Sequence, residues 1–147
     1  MDNKTEHYKK RGIPAHAIPP AKKAGKGEAN RIQNAIAEYC KYERSMDCFR
    51  VNSQGQYDAK LGRFRKSGST DGISDLIVIY KGVSMYVEVK AGKDRMRKTQ
   101  AVFCDRVQDA GGIYFIVKSF DMFIEHFNRY KPAIDLFAGK LKEVLGE

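Results

Sequence analysis

Tryptophan is absent from this 147-residue chain, and cysteine occurs only at Cys40, Cys48 and Cys104. Three is an odd number, the positions lie far apart, and none belongs to a CxxC pair. The histidines, His7, His16 and His126, are equally scattered. Neither a disulfide framework nor a zinc site is expected from such a pattern, and the thiols read as reduced and buried. Long apolar runs are missing too. None reaches the roughly 18 residues that a membrane-spanning helix needs. The opening residues, MDNKTEHYKK, have no apolar stretch behind their charges, which argues against a secretory signal. No membrane attachment and no small-molecule cofactor is expected, and the location is read as cytoplasmic. Acidic residues are the other shortage: 18 Asp and Glu stand against 27 Lys and Arg, a net charge of +9. Such an excess attracts polyanions, and release of counterions from neutralised phosphates is the usual gain.

What is present is enough for one globular domain with a real core, since 42% of the residues are apolar. Residues 1–27 are expected to be a flexible basic tail. They carry PAHAIPP, a lysine run AKKAGKG, and seven Lys or Arg against Asp2 and Glu6. Such a segment cannot bury enough apolar surface to order itself. From Glu28 to about Arg44, Ile32, Ala35, Ile36, Tyr39 and Cys40 recur at helical spacing. CFRVN (Cys48–Asn52) alternates as a strand does. Residues 53–74 are rich in Gly, Ser, Lys and Arg, with one short strand expected around Leu61–Arg65. DLIVIY (Asp75–Tyr80) and SMYVEVK (Ser84–Lys90) form a hairpin about a Lys-Gly turn, and both its faces are expected to be covered. Gln100–Ala110 reads as a helix stopped by Gly111-Gly112, and Ile113–Val117 as a buried strand. A helix over Phe120–Tyr130 follows, and Pro132 is expected to begin another. The order predicts an α/β fold in which helices flank a mixed β-sheet.

Three charges stand where charge is costly. Asp75 opens an apolar strand, and Glu88 and Lys90 interrupt the far half of its partner. If Lys81 and Gly82 are the two loop residues, Asp75 falls opposite Glu88, and Lys90 shares that face. A four-residue loop pairs Asp75 with Lys90 instead, and all three still share one face. A slip of one residue would separate them. Two close carboxylates repel, and a divalent cation with a preference for hard oxygen ligands, Mg²⁺ or Mn²⁺, would relieve this. It would polarise a phosphate and lower the pKa of a bound water, with Lys90 holding that water or offsetting charge on the phosphate. Arg63, Arg65 and Lys66 precede this group and Lys93, Arg95, Arg97 and Lys98 follow it. Together they read as a positive rim for DNA phosphates, without base reading. The aromatics, gathered in runs such as IYFIV, are expected to be core.

G-I-S-D (Gly72–Asp75), then E-V-K (Glu88–Lys90), then Gln100 resembles the PD-(D/E)xK nuclease motif. More narrowly, the chain resembles the virus-type replication-repair nuclease (VRR-NUC) domain, whose opening helix is similar to EANRIQNAIAEYC. The resemblance covers about residues 28–124. It implies a restriction-endonuclease-like αβββαβ core within a single nuclease domain over residues 28–147. It also implies Asp75, Glu88 and the main-chain carbonyl of Val89 as metal ligands, and Lys90 as the catalytic lysine. Gln100 would orient the site. Glu28 would match the helix glutamate that completes it, with Glu38, deeper in the helix, as the alternative. Small stand-alone members resemble Holliday-junction resolvases, so a homodimer acting on branched DNA in a bacterial or phage-infected cell is the expectation. The last helices, with Phe123, Phe127 and Phe137, would supply its interface. A nuclease fold that only binds DNA, and a small basic protein-interaction domain, are the competing readings.

Overall fold

The amphipathic pattern after Gly27 becomes helix α1 (Glu28–Tyr42), whose Ile32, Ala35, Ile36, Tyr39 and Cys40 are buried on one side. This is a computed structural model, and it describes residues 27–52, 56–65 and 68–147. Strand β1 (Met46–Arg50) follows, then a separate ribbon of β2 (Gln56–Asp58) and β3 (Arg63–Arg65). The hairpin is β4 (Leu76–Tyr80) and β5 (Val83–Val89). Helix α2 (Lys98–Asp109), strand β6 (Ile113–Val117) and helix α3 (Phe120–Leu145) complete the described chain. The expected tail falls almost wholly on residues 1–26, outside the described residues.

The main sheet has the order β1-β4-β5-β6, antiparallel except for the parallel β5–β6 pair. Setting the β2–β3 ribbon aside, the elements run αβββαβ, the order expected of a nuclease-like core. The parallel pair exists because α2 carries the chain back across the sheet, as a parallel connection requires. One sheet face is buried beneath α1 and α3. Leu76, Val78, Tyr80, Met85, Val87, Phe115 and Val117 meet Ile36, Phe120, Phe123 and Phe127 there. Tyr39 of α1 sits edge-on to Phe120, Phe123 and Phe127, with ring centroids 5.9, 6.1 and 6.3 Å away. A side chain of this size contributes about 1.5–3 kcal/mol when fully buried.

The opposite sheet face differs from the expectation of a hairpin covered on both sides. β4 alternates, with Ile77 and Ile79 only half-buried. Helix α2 covers just part of this face, through Phe103, whose ring lies 5.5 Å from Tyr86 and 6.2 Å from Tyr114. An apolar run can thus stand on a half-open sheet face, which is where a site has room.

The last helix is also a correction. Pro132 does not start a new helix but lies inside one of 26 residues. Proline removes a backbone donor, yet the helix continues because tertiary bonds hold its second half. Asp135 accepts from Tyr80 Oη at 2.8 Å, Lys81 Nζ at 2.7 Å and Lys131 Nζ at 3.1 Å, and Ile134 is buried. Phe123 and Phe127, expected at an interface, are fully buried in this chain's own core. Of the cysteines only Cys40 is fully buried, whereas Cys48 and Cys104 are half-buried. No helix among the described residues is long and apolar enough to cross a membrane.

Candidate active site

The hairpin register decides the geometry. Tyr80 pairs with Val83 and Leu76 with Val87, so Lys81 and Gly82 are the two turn residues. Both have positive φ, 47° and 84°, as a type I′ turn requires. One step beyond Leu76–Val87, Asp75 faces Glu88. Its Oδ2 accepts the Val89 N–H at 2.9 Å, which ties the carboxylate to the partner strand. Ser74, buried just before it, donates its hydroxyl to the Leu76 carbonyl at 3.0 Å and closes the backbone bend into β4.

Glu88 and Lys90 are 1% and 4% exposed, a degree of burial that charged groups tolerate only when partnered. The Lys90 ammonium lies 2.9 Å from Glu88 Oε1, 2.9 Å from Gln100 Oε1 and 3.5 Å from Asp94 Oδ2. Its three donors are thereby directed. Gln100 binds both charges: its Nε2 donates to Glu88 Oε1 at 2.6 Å while its Oε1 accepts from Lys90. The same Oε1 accepts the Arg97 backbone N–H at 2.9 Å, so one side chain caps α2 and clamps the pair. Two donors converging on that oxygen fix the orientation of the amide.

The remaining Glu88 oxygen, Oε2, is buried and has no hydrogen-bond partner among the described residues. Burial pushes the Glu88 carboxyl above its usual value, and the nearby Asp75 carboxylate adds to this, while the Lys90 hydrogen bond opposes both. A buried carboxylate oxygen without a donor is costly. Paired with a second carboxylate on the same face, it is the kind of hard-oxygen donor set that suits a small divalent cation. The residues present therefore fit such an ion. Among the described residues no group of three His, Cys, Asp or Glu that could hold a metal forms. Glu28 lies half-exposed in the first turn of α1. Glu38 is bound by Lys41 on its own helix.

The expected rim residues divide. Lys93, Arg95, Arg97 and Lys98 are exposed on the connector from β5 into α2. Arg63 and Arg65 are exposed on the ribbon, where Arg65 pairs with Asp58 at 2.8 Å. Lys66 lies outside the described residues.

The VRR-NUC domain family matches residues 26–121, about two thirds of the chain. The chain belongs to the VRR-NUC family. Membership implies a nuclease of the PD-(D/E)xK type, a class that acts on DNA and typically uses divalent metals. Comparison with curated proteins and with solved structures finds no match.

Two residues of this VRR-NUC site, Asp94 and Tyr114, escape sequence reasoning, as does the packing role of Gly72. Asp94 supplies the third contact of Lys90, and its short spacing from Lys90 was a usable signal. Tyr114, in an apolar run that reads as core, has a buried hydroxyl without a partner among the described residues. Burial and the Glu88 charge hold that hydroxyl protonated well above its usual range. Gly72 (φ 76°) packs so tightly on α2 that a Cβ would overlap the Thr99 carbonyl and crowd the Gln100 nitrogen.

Proposed function

We propose that this VRR-NUC domain is a metal-dependent endonuclease that hydrolyses DNA phosphodiester bonds. The observation that carries the reading is the unpaired, buried Oε2 of Glu88, on the same face as Asp75 and beside a lysine that Gln100 holds in place. Asp75, Glu88 and the Val89 carbonyl would hold Mg²⁺ or Mn²⁺. Bound there, the ion would supply Lewis acidity toward the scissile phosphate and a water that is nucleophilic at neutral pH. Lys90 would orient the attacking water or offset charge developing on the phosphate. Gln100 keeps Glu88 and Lys90 in register. A fold that only docked DNA would have no use for a buried carboxylate oxygen beneath a basic surface.

Lys93, Arg95, Arg97 and Lys98 beside the site, with Arg63, Arg65 and Lys66 of the preceding segment, would grip phosphates without reading bases. Branched DNA is the proposed substrate and a homodimer the proposed form. The exposed apolar residues of α3, Leu136, Phe137, Leu141, Val144 and Leu145, support a dimer surface. Cleavage of labelled four-way junction, flap and linear duplex in parallel tests the substrate. Preferential, paired cutting of the junction is expected. Equal cutting of all three would remove the branched-DNA reading, and sedimentation showing only monomer at micromolar concentration would remove the dimer.

A further inference from the structure

Arg50 ends β1, and its guanidinium is held by three side chains of α1. Nη1 donates to Asn34 Oδ1 at 3.0 Å, and Nη2 donates to Gln33 Oε1 at 2.7 Å and to Asn30 Oδ1 at 3.1 Å. Asn30, Gln33 and Asn34 are spaced i, i+3, i+4, so they share one helix face. Gln33 is itself buried, with 9% exposed. It is the glutamine of EANRIQNAIAEYC, and the nuclease site makes no use of it.

All three partners are neutral. Among the described residues Arg50 forms no ion pair, so its orientation is fixed while its charge is left whole. A guanidinium has five N–H donors. Three are taken by the amides, and Nε–H and one Nη1–H have no partner among the described residues, while the residue is exposed. This is an oriented cation with two donors unused among the described residues, a form suited to phosphate oxygens. A plain brace between helix and strand would gain more from a carboxylate partner.

Its place ties it to the site. Arg50 pairs with Leu76, and the next residue, Val51, donates its backbone N–H to the Asp75 carbonyl at 2.9 Å. Arg50 points to the α1 side of the sheet, with Leu76, whereas Asp75 points to the α2 side. Arg50 is thus one strand away from Asp75 in the sheet, on the face that α1 covers.

We propose that Arg50, preset by Asn30, Gln33 and Asn34, binds a DNA phosphate on the α1 side of the site. This rests on the nuclease reading. The test is binding of a fluorescein-labelled linear duplex by the full chain in EDTA, read by anisotropy over a salt series, with a thermal melt of each variant. Arg50→Gln is expected to weaken binding several-fold and to lower the slope of log affinity against log salt by about 1. Asn34→Asp supplies a carboxylate that pairs with Arg50. It is expected to keep or raise the melting temperature while weakening binding and slope in the same way. This outcome separates a phosphate contact from a brace even where Arg50→Gln fails to fold. Wild-type affinity and slope in Asn34→Asp, with the wild-type protein bound to DNA, would overturn the proposal and leave the nuclease reading standing. A wild-type chain that binds no DNA would overturn both.

Discussion

Gln100 donates to Glu88 Oε1 at 2.6 Å, and with its other amide atom accepts from Lys90 at 2.9 Å. One residue at the start of α2 thus sets the spacing of two buried charges on β5. Its third bond, from the Arg97 N–H, fixes it to the helix that carries it.

Gln100→Ala is therefore expected to leave the sheet intact and to impair the site. Partners of this kind are worth about 10- to 100-fold in metal affinity or activity. Calorimetric titration with Mn²⁺ and a cleavage assay should both show the loss, and Gln100→Glu should not restore it, because a carboxylate cannot donate to Glu88.

Gly72→Ala combines positive φ with a direct clash on the Thr99 carbonyl. The strain alone should cost more than about 1 kcal/mol. The larger consequence is that α2 must back away, taking Gln100 with it. Chemical denaturation and cleavage should both decline, and a variant with wild-type stability would show that the close approach of loop and helix is not obligatory.

Asp135 makes the acid dependence specific. Tyr80, Lys81 and Lys131 hold its carboxyl well below the usual carboxylate range in the folded state, with the Lys81 bond the largest cause. A depressed folded value means stability that is complete above the unfolded pKa, near 4. That stability is lost as pH falls toward the folded value. Melting temperature should decline below about pH 4 in the wild type, and Asp135→Asn should flatten that decline while lowering the plateau at neutral pH.

The hairpin was legible because a two-residue Lys-Gly turn fixes register, and register alone places Asp75, Glu88 and Lys90 on one face. Gln100 was legible only through family resemblance, since nothing in its local pattern shows that it reaches β5. Pro132 misled because local propensity ends a helix there, whereas Asp135 is held by Tyr80, 55 residues away. Phe123 and Phe127 carry the same apolar signal whether they face a partner or their own sheet. The bonds of Arg50 to α1 span 16 to 20 residues, beyond the reach of any periodicity.

Lys90 tests the central claim most directly. The measurement is cleavage of labelled DNA by wild type and Lys90→Ala, each with Mg²⁺, Mn²⁺ or EDTA, with binding followed in parallel. The account predicts cutting by wild type in metal alone, and a loss of about 10²-fold or more in Lys90→Ala with DNA still bound. Undiminished cutting by Lys90→Ala, or cutting by wild type in EDTA, would contradict it.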